Sequence, residues 1–150
     1  MFTKALGEAR WIFAILIAGW LIAIPFLPEL GFLFAGLILF TFYFFRDPER
    51  VPPEGENIAV SPADGVVTTI DEIDEDEFFN KRVRRIGIFL SVLDVHVNRA
   101  PLAGEVTHSI PKPGGFFDAR DPRCSILNQS RSWVFSSPVA MVMVKQITGA

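Results

Sequence analysis

The amino-acid sequence predicts a mainly β, barrel-sandwich-like domain of pseudo-repeated strand-turn-strand units, preceded by an N-terminal apolar α-helical hairpin. Three observations predict it. Between Arg10 and Arg46 the only charged residue is Glu29. Beyond residue 58, short runs rich in β-branched residues are separated by Gly, Pro, Asn and Asp, the punctuation of strands and turns. Finally, Ser61-Pro-Ala-Asp-Gly-Val-Val-Thr68 is echoed 39 residues later by Ala100-Pro-Leu-Ala-Gly-Glu-Val-Thr107, with Pro, Gly, Val and Thr in register. The expected organisation is a membrane-associated helical hairpin over 1–45, a Pro-rich juxtamembrane linker over 46–57 and a β-rich domain over 58–150.

The apolar stretch breaks at Pro25-Phe-Leu-Pro28, with Glu29 and Gly31 following, so it reads as two helices joined by a turn. Arms over 11–24 and 30–45 would be roughly 21 to 24 Å long, short of a bilayer core of about 30 Å. They would span only a thinned bilayer, or enter it as a re-entrant loop. Aromatic and aliphatic residues on every face, as in Phe40-Thr-Phe-Tyr-Phe-Phe45, argue for lipid around them rather than a soluble core. The stretch runs far beyond the apolar region of a cleaved signal. Lys4 and Arg10 before it, and Arg46 and Arg50 after it, place both ends in the cytoplasm by the positive-inside rule. The expected location is the cell membrane, with the soluble domain on its cytoplasmic side.

Arg46-Asp-Pro-Glu-Arg-Val-Pro-Pro53 cannot continue a helix and reads as a linker at the membrane surface. Strands are expected over 66–70, 84–97, 104–110, 132–135 and 139–147. The acidic run Asp71 to Glu77 and the basic run Lys81 to Arg85 place opposite charges at a hairpin tip. Pro111-Lys-Pro-Gly-Gly115 is a turn that lacks the features of a phosphate-binding loop but can shape a pocket edge.

Composition narrows the function. The net charge of −3 gives no sustained basic face for nucleic acid. A single cysteine, Cys124, excludes an intrachain disulfide, and two histidines with one cysteine do not match a zinc-ligand spacing, so no metal site is expected. No serine sits in a Gly-x-Ser-x-Gly elbow.

Two positions stand out. In the first copy of the repeated frame Asp64 precedes the glycine, where the second has Ala103. An aspartate between Pro and Gly ordinarily serves its own turn; the alanine shows that the frame turns without it, and makes Asp64 a candidate for chemistry. In Leu93-Asp-Val-His-Val-Asn98, alternation places Asp94, His96 and Asn98 on one face of an expected strand. An imidazole between a carboxylate and an amide suits general acid–base work near neutral pH. His108 has no such neighbours and reads as a surface residue.

Phe44-Phe-Arg-Asp-Pro-Glu-Arg50 after an apolar hairpin, Ser61-Pro-Ala-Asp-Gly-Val-Val67, Phe89-Leu-Ser-Val-Leu-Asp-Val-His-Val-Asn-Arg-Ala-Pro101, Gly114-Gly-Phe-Phe-Asp-Ala119 and Val144-Lys-Gln-Ile-Thr-Gly-Ala150 occur in that order. Together they resemble the short form of the phosphatidylserine decarboxylase family. The resemblance implies phospholipid biosynthesis by a self-processing carboxy-lyase acting on phosphatidylserine or archaetidylserine. A serine after a glycine splits its own chain and becomes a covalent pyruvoyl group, whose ketone takes up the head-group amine. The Schiff base so formed, with loss of water, serves as an electron sink while carbon dioxide leaves and a general acid protonates the carbanion.

On this resemblance Asp64 is implied in self-cleavage and His96 as a proton carrier, with Asp94, Asn98, Arg99, Phe116 and Phe117 as pocket candidates. The implied partners are the lipid bilayer, its phospholipid and a C-terminal pyruvoyl-bearing α subunit or segment; a homo-oligomer is left open. Long-form relatives have a second histidine where this chain has Arg99, so His96 would serve both steps. Lys112 stands where relatives often carry a histidine. The family's Gly-Ser processing site lies in a continuation beyond Gly149-Ala150, and no Gly-Ser dipeptide occurs in these 150 residues. The 150 residues alone are therefore expected to be a fragment, a truncated product or inactive. A noncatalytic barrel-sandwich module on a membrane anchor, acting in binding or assembly, is the competing expectation. A lipoyl or biotinyl carrier is disfavoured because no lysine is flanked as such carriers require.

Overall fold

The computed structural model describes residues 4–55 and 57–149. Among them, helices α1 (Lys4–Glu8), α2 (Arg10–Ala23) and α3 (Pro28–Phe44) precede strands β1 (Val66–Glu75), β2 (Lys81–Phe89) and β3 (Glu105–Lys112). Helix α4 (Cys124–Leu127) and strands β4 (Ser130–Ser136) and β5 (Met141–Ile147) follow. The strands form two antiparallel sheets, β1-β2 and β3-β4-β5. The chain divides into two compact units, one of residues 4–50 and 63–98, the other of 51–62 and 99–149.

In the first unit Pro28 starts α3 at a position where a missing N–H costs nothing. The rings of Phe13 and Phe42 lie 4.4 Å apart, and Gly19 faces Phe34 so closely that an added Cβ would lie 2.6 Å from the ring. Gly31 faces Ile24 in the same way, so α2 and α3 run antiparallel with glycines admitting the larger side chains. Their outward residues are bare; Ile15 is 70% and Phe32 80% exposed. Among the described residues no helix is long and apolar enough to cross a membrane.

β1 runs further than the expected 66–70 because its acidic residues meet basic ones across the ladder. Asp71 opposes Arg85, Glu72 opposes Arg84, Asp74 opposes Arg82 and Glu75 opposes Lys81, and opposite charges in such pairs support a strand. Glu75 does more: it is buried, and its carboxylate accepts the N–H groups of Glu77, Phe78 and Phe79 at 2.6 to 3.1 Å, closing the hairpin turn. The expected strand over 84–97 ends at Phe89. Asp94 N–H donates to the Ser91 carbonyl at 2.9 Å, and Ser91 N–H donates back to the Asp94 carboxylate at 2.7 Å. This reciprocal turn offers the backbone an alternative to the sheet. The strand face predicted for Asp94, His96 and Asn98 therefore does not exist.

The two copies of the repeated frame fold alike. Gly65 precedes β1 with φ +134°, and a Cβ there would strike the Phe89 carbonyl oxygen at the end of β2. Gly104 precedes β3, and a Cβ there would strike the Ser136 carbonyl oxygen at the end of β4. Three residues on, the register of both ladders slips, between Val67 and Thr69 and between Val106 and His108. Thr68 and Thr107 are thus the extra residues of matching bulges. Their hydroxyls donate to the equivalent carbonyls of Gly87, at 3.4 Å, and Val134, at 3.3 Å. Within the second unit the stretches leading into the frames are bonded reciprocally: Val60 N–H donates to the Pro101 carbonyl at 2.7 Å, and Arg99 N–H to the Pro62 carbonyl at 2.8 Å.

The second unit centres on Val134, fully buried in β4, between β3 and β5. Beside the sheet, Gly114 and Gly115 press on residues 127–129: Gly115 N–H donates to the Leu127 carbonyl and Gln129 N–H to the Gly115 carbonyl. A Cβ on Gly114 would lie 2.5 Å from backbone, so only glycine fits. The Asn128 side chain, 2% exposed, completes the junction. Its Oδ1 accepts from Phe117 N–H at 2.7 Å, and its Nδ2 donates to the carbonyls of Phe117 at 2.8 Å and Thr148 at 2.6 Å.

Candidate active site

The segment read from sequence as a linker is the brace of the site. Where α3 ends, its last carbonyls lack helical partners, and a cation there is favourable. Arg46 supplies it, donating to the Tyr43 carbonyl at 2.8 Å with its guanidinium 3.8 Å from the centre of the Tyr43 ring. The same guanidinium donates to the Leu93 carbonyl at 2.7 Å, and the Tyr43 hydroxyl donates to that carbonyl at 3.1 Å. The turn over 91–94 is thereby pinned to the end of α3.

His96 leaves this turn with its ring stacked on Phe44, centroids 4.1 Å apart and planes at 28°. Its Nδ1 lies 3.1 Å from the Asp94 carbonyl. A carbonyl only accepts, so Nδ1 carries the hydrogen and Nε2 is left with its lone pair. The neighbouring Val95, 2% exposed, buries the backbone while the imidazole stays exposed. Asp94 reaches its role through a different route from the one expected: its carboxylate shapes the turn and its carbonyl orients the imidazole. Asn98 keeps a buried Oδ1 with no hydrogen-bond partner among the described residues.

Asp64 sits in the turn before Gly65, and Arg50 donates to its carboxylate at 2.5 Å. The hydrogen bond and charge of Asp64 raise the pKa of the Arg50 guanidinium above its ordinary value. One short segment therefore reaches both leading candidates, Phe44 to His96 and Arg50 to Asp64. Tyr43, Phe44, Arg46 and Arg50 are not among the site residues expected from the sequence. The signal available was two arginines bracketing Asp-Pro-Glu at the end of an apolar helix.

The remaining candidates lie in the second unit. Arg99 bonds Pro62 through its backbone. Phe116 is 63% exposed, while Phe117 is held by Asn128 and covered by the Arg123 guanidinium, 5.0 Å from its ring centre. Nearby, Arg120 donates to Asp118 and holds that carboxyl down at about 2. Among the described residues no group of three or more His, Cys, Asp or Glu could hold a metal ion.

Residues 37–149 match the family model for phosphatidylserine decarboxylase. The chain is 48% identical over 100 residues to a phosphatidylserine decarboxylase proenzyme of Symbiobacterium thermophilum, covering 67% of this chain and 46% of that protein. It is 42% identical over 120 residues to the proenzyme of Carboxydothermus hydrogenoformans, covering 80% and 56%. With that of Salinibacter ruber it shares 41% identity over 147 residues, covering 96% and 61%. The chain thus spans about half the length of the curated relatives it matches. With the family model matching most of its length, the chain belongs to the phosphatidylserine decarboxylase family.

Proposed function

We propose that this chain is part of a proenzyme that cleaves itself and then decarboxylates phosphatidylserine to the ethanolamine lipid, with His96 as proton carrier and Asp64 in self-cleavage. His96 carries the reading. Its ring is fixed by Phe44 and by the Asp94 carbonyl, and Nε2 is the ring nitrogen left outside that contact. Such an imidazole can accept a hydroxyl proton in processing and later return one to the carbanion left by carbon dioxide.

The residues present suit the pyruvoyl group that the family name implies. An exposed imidazole, held in one orientation, offers the proton. When present, the group supplies an electron sink for the bonding pair of the departing carboxylate. Asp64, held by Arg50, is an acceptor-only carboxylate beside a glycine turn and can orient a reacting hydroxyl.

The second histidine of long-form relatives is replaced here by Arg99, so His96 serves both steps. The bare apolar faces of α2 and α3 rest in the lipid layer without crossing it, with the β-rich portion on the cytoplasmic side in a barrel-sandwich arrangement. Residues 1–45 form the membrane-associated part, 46–57 the connection and 58–150 the decarboxylase-like part, completed by a C-terminal pyruvoyl-bearing segment.

The test is to express the chain with its adjoining coding sequence and weigh the product by mass spectrometry. Two fragments, the smaller blocked by pyruvate, and carbon dioxide release from phosphatidylserine are expected. A single unmodified polypeptide with no release would refute the reading and leave a noncatalytic membrane module.

A further inference from the structure

Within the second unit, a cavity of about 250 Å³ opens at the end of the β3-β4-β5 sheet, and its lining includes Pro111, Gln129, Ser130, Arg131, Gln146 and Thr148. No acidic residue lines it. Arg131 and Gln146 stand directly opposite each other across the β4-β5 ladder, and Pro111 is opposite Arg131 on the β3 side. Residues so paired share a face of the sheet, with Cβ atoms about 5 Å apart.

Two contacts decide what this pair offers. The Trp133 indole N–H donates to Gln146 Oε1 at 2.8 Å. An indole N–H can only donate, so the amide oxygen is engaged and both Nε2 hydrogens of Gln146 are left to donate elsewhere. Arg131 donates from Nη1 to the Ser109 hydroxyl at 3.1 Å, with its guanidinium 5.5 Å from the centre of the Trp133 ring. It has no ion-pair partner among the described residues. Ser130 is 6% exposed, and its hydroxyl has no hydrogen-bond partner among the described residues. A buried donor in that state calls for an acceptor that the chain does not supply. Lys112 pairs with Ser130 and Lys145 with Ser132, so the three rungs around Arg131 carry three bases and no acid.

We propose that this cavity is a binding site for a phosphate group, with the Arg131 guanidinium and the Gln146 amide as its principal donors. A planar guanidinium matches phosphate oxygens in pairs, and such charge-assisted bonds are the strong ones. A tetrahedral group has oxygens for donors on more than one strand. At about 250 Å³ the cavity lies below the usual range of about 300 to 1,000 Å³ for drug-sized ligands, and it suits a phosphate with a small esterified group. The phosphate can come from a lipid head group or from a free phosphate. The site lies wholly in the second unit and does not depend on the decarboxylase reading.

The experiment titrates the extended, ¹⁵N-labelled chain at constant ionic strength and follows the Trp133 indole N–H resonance, whose acceptor is Gln146. The probes are inorganic phosphate and glycerophosphoserine, with sodium chloride as the control. A saturable shift with a phosphate probe and none with chloride is expected. Tighter binding of glycerophosphoserine assigns the site to a lipid head group, and tighter binding of inorganic phosphate assigns it to the free anion. Gln146→Glu keeps an acceptor for Trp133 and sets a carboxylate opposite Arg131, so it should retain the fold while weakening phosphate binding tenfold or more. No saturable shift with either probe, a shift that chloride reproduces, or a phosphate response that Gln146→Glu leaves unchanged would overturn the site. The titration of the unsubstituted chain decides the matter even if Gln146→Glu fails to fold.

Discussion

Asn128 offers the sharpest stability prediction. Its carboxamide is 2% exposed and makes three hydrogen bonds that tie Phe117 to the end of β5. Asn128→Ala removes all three and leaves one N–H and two carbonyls without protein partners. The site is only partly closed to water on the Phe117 side, so the lower end of the usual penalty applies, about 1 kcal/mol for each group and about 3 kcal/mol in total. With an m-value of about 2 kcal/mol/M, the urea midpoint should fall by about 1.5 M. Trp133 fluorescence in a background of Trp11→Phe and Trp20→Phe reports on this unit alone.

Asn128→Asp is the more demanding variant. It keeps the acceptor for Phe117 N–H but turns an oxygen toward two carbonyls at 2.6 and 2.8 Å. Its loss at pH 7 should match or exceed that of alanine. The folded state would raise the new carboxyl's pKa, so stability should recover as pH falls and protonation restores one donor. A midpoint moved by less than about 0.3 M in either variant would show that the amide does not hold the junction.

Two further outcomes follow from local geometry. Gly65→Ala should cost about 2 kcal/mol or more, since φ +134° is disfavoured for an L side chain and the new Cβ meets the Phe89 carbonyl; equal urea midpoints for variant and wild type would contradict this. Arg85 holds the Asp71 carboxyl below its ordinary pKa through the side-chain hydrogen bond between them. This lowered group contributes stability above the ordinary carboxylate range, and the contribution is lost as pH falls through the folded-state value. Asp71→Asn should therefore flatten the acid limb of the unfolding curve below about pH 4, and an unchanged limb would count against the pair.

The sequence revealed the repeat because its frame is built from residues with local jobs. Each glycine admits a carbonyl from the partner strand, and each threonine is the extra residue of a bulge. The helical pair was equally legible from its proline-marked turn. The strand expected through His96 was not, because alternation is a local signal. Ser91 and Asp94, three apart, close a turn that alternation does not register. The brace at Tyr43, Phe44, Arg46 and Arg50 was hidden for the opposite reason. Its partners Leu93, His96 and Asp64 lie between 14 and 52 residues away in sequence, and no periodicity links such positions. The acidic run marks a hairpin tip, but its charge pattern does not distinguish Glu75, which is buried as the acceptor that closes the turn.

Asp64, as proposed, is chemistry added to a scaffold that does not require it. The frame around Gly104 makes the same bulge, threonine bond and close approach to a carbonyl with Ala103 in the equivalent place. The deciding measurement is therefore mass spectrometry of the extended chain carrying Asp64→Ala, alongside its circular dichroism and urea midpoint. The predicted result is one unsplit polypeptide with wild-type sheet content and a midpoint close to wild type, since the lost ion pair is partly exposed. Normal splitting into two fragments would contradict the account and return Asp64 to the ordinary role of a turn residue paired with Arg50.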